Sequence, residues 1–160
     1  MELKGIMDAF AAETGLSNLT ADENGAYTLG IDEMIVSFAE DREAGRIVTF
    51  AEVGKPPAEG CERFYRLLLE TMYRGTATGG ATFCMDPDSG AICLQRFDAL
   101  ATADLDSFKA ALETFVNILE DWRQSIADFG DISSAIDAAK NDAAAETRQF
   151  GLNADGFIQV

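Results

Sequence analysis

DLDSFKAALETFVNILEDWRQSIADF, Asp104 to Phe129, decides the fold. Its large apolar residues fall at Leu105, Phe108, Leu112, Phe115, Leu119, Trp122, Ile126 and Phe129, spaced 3-4-3-4-3-4-3. Residues three and four apart share one side of a helix, so this stretch predicts about seven helical turns carrying one continuous apolar stripe. Asp104 and Asp106 stand near the N-terminus of that helix, where its dipole favours negative charge. The spacing would also suit a coiled coil, but the strand patterns upstream favour one helix packed on an antiparallel sheet.

Working outward, a short hairpin precedes the helix. Ala81 to Met85 and Ala91 to Phe97 read as strands joined by Asp86-Pro-Asp-Ser-Gly90. A loop from Pro87 to Gly90 sets Cys84 opposite Cys93, as two packed reduced thiols or as a cross-strand bond. Before the hairpin, Glu59 to Arg74 is a helix that is apolar over more than half its circumference, which implies cover on two sides. Three strands precede it: AYTLGID, MIVSFAED and RIVTFAEV, ended by Lys55-Pro56-Pro57 because proline cannot donate to the ladder. Leu3, Ile6, Met7 and Phe10 open the chain as an amphipathic helix ending near Gly15. The order is α-β-β-β-α-β-β-α, an α+β domain over residues 1–129. After Gly130 an alanine-rich stretch reads as a weak fourth helix, and GLNADGFIQV as a less ordered tail, giving a C-terminal extension over 130–160.

Charge narrows the partners. In 160 residues, 28 acids face 12 bases, a net charge of −16, so nucleic acid and anionic membrane surfaces are excluded for want of a basic footprint. A basic or amphipathic protein segment is what this field attracts. No apolar run approaches the ~20 residues of a membrane span. The opening MELKGIMDAF carries acids and lacks a small-residue cleavage site, so the expected location is the cytoplasm.

Catalytic patterns are missing. The chain has no histidine, hence no Ser-His or Cys-His pair. Gly54-Lys55 lacks the glycine that a phosphate-binding loop needs five residues earlier. Asp86-Pro-Asp-Ser-Gly90 fails as a calcium loop, with Ala91 at the glycine position and Phe97 at the last ligand. Asp22-Glu-Asn-Gly25 fails with Tyr27 at the glycine position. Three cysteines without CxxC spacing indicate neither a disulfide framework nor a zinc site. No catalytic residue, metal or cofactor is assigned.

YTLGIDEMIVSFAED, the strand-ending VGKPP, the helix FYRLLLETMY, then GGATFCMDPDSGAICLQRF and DLDSFKAALETFVNILEDW together resemble the Tir-chaperone (CesT-like) family, small acidic class I chaperones of bacterial type III secretion. The resemblance covers Met1 to about Ile126. It implies a homodimer whose subunits carry a twisted antiparallel sheet covered by helices, the middle helix joining the dimer contact. It also implies a cytoplasmic, non-enzymatic chaperone that holds an N-terminal, extended segment of a secreted effector soluble and export-competent. A regulator of the same fold without a secretion role, and a small carboxylate enzyme using a divalent ion, are the alternatives.

The residues support that mechanism separately. The first three strands are apolar on both faces, and one core covers only one face. The expected partner-binding patch is Leu3, Ile6, Met7 and Phe10 with Val36, Phe38, Val48 and Phe50, any of which also suits the core. Dimer contact is expected at Phe64, Leu68, Met72 and Tyr73 with Cys84 and Met85, against the rival that the helix packs within one subunit.

Overall fold

The computed structural model describes residues 2–149, with side-chain surroundings through Phe129. The tail GLNADGFIQV lies outside the described residues. The elements are α1 (Leu3–Thr14), β1 (Tyr27–Ile31), β2 (Met34–Asp41), β3 (Arg46–Gly54), α2 (Cys61–Thr71), β4 (Thr82–Met85), β5 (Ile92–Ala99) and α3 (Leu105–Gln149). The five strands form one sheet in the order β1-β2-β3-β5-β4, every pair antiparallel. This is the predicted α+β order.

Local chemistry sets the boundaries. Gly15 ends α1 in the left-handed conformation, its N–H bonding to the Ala11 carbonyl. The helix expected from Glu59 to Arg74 is shorter, because Gly60 starts it at φ 72° and Arg74 turns the chain at φ 65°. Asp104 caps α3 reciprocally with Ser107: the Ser107 N–H donates to Asp104 Oδ1 at 2.8 Å, and the Asp104 N–H donates to Ser107 Oγ at 2.9 Å. The break expected at Gly130 is absent, and α3 runs on as one helix to Gln149. A helical glycine costs only about 1 kcal/mol relative to alanine, and the alanine-rich sequence that follows favours continuation.

α1 and α3 cover one face of the sheet. On that face lie Met34, Val36 and Phe38 of β2 and Ile47, Ala51 and Val53 of β3, all buried. The eight-residue stripe of α3 meets them: Phe108 sets its ring edge-on against Phe10 and Phe38, and Trp122 against Phe83. Phe64 of α2 packs on Phe129 near the far end of the stripe. Lys109 pairs with Glu13 and ties α3 to α1.

Candidate partner-binding surfaces

The structure divides the expected patch. Leu3, Ile6 and Met7 are buried core residues, because the apolar stripe of an amphipathic helix turns toward the sheet it covers. Val36 and Phe38 are core as well. Val48 and Phe50 lie on the opposite face, since the register sets Ala39 against Val48 and Ser37 against Phe50 while Val36 and Phe38 oppose Ala51 and Thr49. Five of the eight are therefore buried in the folded subunit, although Phe38 also lines the cleft between β5 and α3. Phe10 is half-buried at the edge of the helix layer.

Among the described residues, the sheet face away from α1 and α3 leaves large apolar side chains exposed. Ile35, 65% exposed, Phe50 and Phe97 project from it, with Val48 half-buried between Ala39 and Phe97. Ile35 and Phe97 were missed in the sequence-based patch, although simple alternation puts Ile35 opposite Val36 in facing. The Arg46 guanidinium lies 4.1 Å from the Phe97 ring centroid and bonds Asp41 at 3.0 Å. Asp41 is held below the usual carboxylate range, first by the Ala44 N–H and then by Arg46, so this end of the row stays charged.

A groove of ≈390 Å³ follows the outer edge of β1, with which no described strand pairs. Phe10, Leu16, Leu19, Leu29 and Ile31 line it beside the backbone of Thr28 and Gly30. Leu16 and Leu19 sit in the connection after α1, where no periodicity marks them. An unpaired strand edge next to an apolar groove can accept an added strand: the backbone supplies hydrogen bonds and alternate side chains enter the groove.

The third surface is formed by α2 and β4. Phe64 and Leu68 are buried within their own subunit, as the rival reading had it. Met72 is half-buried, its sulfur accepting the Phe83 N–H. Tyr73, 77% exposed, Met85, Leu67 and Leu69 are each exposed, and the period of a broadly apolar helix did not single out the two leucines. Cys84 faces Cys93 across the β4–β5 pair, and both are free thiols. Burial, with Cys84 beside it, pushes the Cys93 thiol up to about 11, which keeps it protonated at neutral pH.

The sequence model of the Tir chaperone protein (CesT) family matches residues 5–123. The chain belongs to the Tir chaperone protein (CesT) family. A Chlamydia pneumoniae protein, CPj0713/CpB0740, is 30% identical over 122 residues, covering 75% of this chain and 92% of that protein. A chain of the ExsC–ExsE complex superposes with a TM-score of 0.67 at 25% identity, covering 79% of this chain and 97% of that one. A chain of the HopA1–SchA chaperone–effector complex gives 0.64 at 16%, covering 76% and 92%. A chain of the complex of the Yersinia pestis type III secretion chaperone SycH with a fragment of YscM2 gives 0.57 at 19%, covering 74% and 97%. At the lower identities the likeness is one of fold. The later part of α3 lies beyond the family match.

Among the described residues of this CesT-family chain, the carboxyls of Asp41, Asp86 and Asp104 are held below their ordinary range. Ser107 holds Asp104 low and Ser89 holds Asp86 low, each first through its hydroxyl, so both belong to a helix cap or a turn. A general acid needs the opposite shift. Asp86-Pro-Asp-Ser-Gly90 is a turn in which Asp86 accepts from the Asp88 N–H and the Ser89 hydroxyl. Among the described residues no group of three or more acids and thiols is placed to hold a metal. Nor is any described helix long and apolar enough to cross a membrane. What this family member offers is surface: an open edge, a bare sheet face and an apolar helix side.

Proposed function

We propose that this chain is a type III secretion chaperone that binds an extended, non-globular N-terminal segment of a secreted effector. The observation that carries the reading is the free edge of β1 running beside the Phe10–Leu16–Leu19–Ile31 groove and adjoining the bare face of Ile35, Phe50 and Phe97. An extended segment paired with β1 places alternate residues in the groove and on the bare face. Such coupled ordering buries about 1,000–3,000 Å² and spends several kcal/mol on fixing the segment, which suits cargo that must later be released. The net charge of −16 speeds the approach of basic segments. The surface of Leu67, Leu69, Tyr73 and Met85 joins two copies as a homodimer, and the complex forms in the cytoplasm without catalysis.

The test is capture of the tagged protein from its host, followed by limited proteolysis and mass spectrometry of the complex. The expected result is one or two secreted proteins protected over an N-terminal segment that is unfolded when free. Leu16→Asp, which alters only the groove, is expected to abolish that protection. A protease-resistant partner held through a folded domain would replace this reading with a regulator of the same fold.

A further inference from the structure

A second open edge lies on the other side of the sheet. β4 is only four residues long and pairs with β5 from Thr82↔Gln95 to Met85↔Ile92. Beyond Gln95, Arg96 to Ala99 remain paired with β3, but no described residue continues the ladder on the β4 side. The chain leading into β4 departs there to pack on α3. Gly79 approaches Ile118 and Thr114 so closely that a Cβ on it would stand 2.5 Å from Ile118 Cδ1. Half of β5 is thus left with one free side.

Under that free half, on the helix side, lies a cleft of ≈350 Å³ between β5 and α3. Its floor is buried and apolar: Phe38, Ile47, Phe108 and Leu112. Its lining includes the small residues Ala103, Ala110 and Ala111, whose lack of bulk leaves space between the helix and the strand. Arg96 and Asp98 stand at the strand, with Arg96 Nε bonding both Asp98 oxygens at 3.0 and 3.1 Å. The pair is only 23% and 28% exposed. A guanidinium has five N–H donors, and the Asp98 carboxylate leaves part of that fork with no acceptor among the described residues.

We propose that the free half of β5 and this cleft form a second anchor for an extended peptide, which pairs with Arg96–Ala99 and drops one large apolar side chain onto the Phe108–Leu112 floor. Strand alternation gives the geometry: residues of the added strand that flank the anchor point to the other face, beside Phe97. A backbone carbonyl of the peptide accepts from the remaining Arg96 donors. A neutral carbonyl fits better than a small anion, because Asp98 already neutralises Arg96 in a chain of net charge −16. The cleft falls at the small end of ligand sites, about 300–1,000 Å³, and suits one or two side chains. The inference rests on the effector-binding reading only for the source of the peptide.

The probe is acetyl-Val-Phe-Val-amide, titrated at millimolar concentration into the full-length isotope-labelled protein and followed by amide and methyl NMR. Saturable shifts are expected at Arg96–Ala99, Ala110, Ala111 and Ile47. Ala111→Leu and Ala103→Leu each add bulk to the cleft lining and are each expected to weaken binding about tenfold or more, with melting curves confirming the fold. Arg96→Met is expected to weaken it severalfold. Absence of shifts at the cleft, or unchanged affinity in both filled variants, overturns the proposal. So does tighter binding of N-acetylphenylalanine carboxylate than of the neutral peptide, which would make this a small-anion site. Shifts confined to Thr28–Ile31 would overturn the anchor while leaving the effector-binding reading intact. Failure to capture any secreted segment would sink that reading without touching the NMR result.

Discussion

Replacing Phe50 and Phe97 by threonine tests whether the bare sheet face belongs to the binding surface. Threonine keeps the β-branched preference for strands, and neither ring lies in the helix-covered core. The two rings are 37% and 42% exposed. At roughly 200 Å² for an aromatic side chain, each leaves about 80 Å² for a partner to cover. At about 25 cal/mol per Å² this is about 2 kcal/mol apiece, or about 4 kcal/mol together. Every 1.4 kcal/mol is tenfold in Kd, so the ceiling is roughly a thousandfold loss. Interfaces return less than their area suggests, and the expected loss for the double variant is between tenfold and that ceiling. The assay is calorimetric titration with the effector segment protected in the capture experiment, run beside thermal melts of both proteins. A Kd within about threefold of wild type, with melting unchanged, would refute the reasoning and restrict the site to the edges of the sheet.

Leu69→Glu on α2 with Tyr73→Glu in the turn that follows it adds charge to the proposed dimer contact and is expected to give a folded monomer in sedimentation velocity; a surviving dimer would move the contact elsewhere. Gly79→Ala forces an L-residue to φ +55° with its Cβ against Ile118, and is expected to cost about 1–3 kcal/mol in urea unfolding. Asp104→Ala removes a cap whose carboxyl is held below the ordinary 3.8. A depressed carboxylate stabilises above its unfolded pKa and loses that contribution as pH falls through the folded one. The melting difference between wild type and Asp104→Ala is therefore expected to be full at pH 6 and to shrink below pH 3.8. Cys93, with its thiol near 11, is expected to resist alkylation in native protein at pH 8 and to react on unfolding; rapid native labelling would contradict its burial.

The element order was readable because helices and strands write different periods into sequence, and the stripe from Leu105 to Phe129 is long enough to be unambiguous. The faces were not readable. β2 and β3 are apolar on both sides, so alternation separates Val36 and Phe38 from their neighbours without saying which set meets α3; that is decided by register and helix packing. The α1 stripe carries the same ambiguity, because Leu3, Ile6 and Met7 would look alike in a core or a groove. Leu16 and Leu19 come from an irregular connection that has no period. The cleft beside β5 is made by small residues at Ala103, Ala110 and Ala111, and missing bulk leaves little signal in a one-dimensional pattern. At Gly130 the error ran the other way, since one glycine is too weak a breaker to stop a helix with good formers on both sides.

Two unpaired strand edges and an aromatic row open to water are, taken alone, a recipe for copies of the protein to stack on one another. What opposes that stacking is mutual repulsion between chains that each carry sixteen surplus negative charges. At physiological salt the repulsion reaches only about 8 Å, enough to act as approaching edges near contact. The acidity is thus a dispersant as well as a lure. It fails near the isoelectric point of about 4.1, where the free protein is expected to turn cloudy while a loaded complex, its edges occupied, stays clear. A basic cargo of the proposed kind would cancel the dispersant at the moment its own chain covered the surfaces that made dispersal necessary.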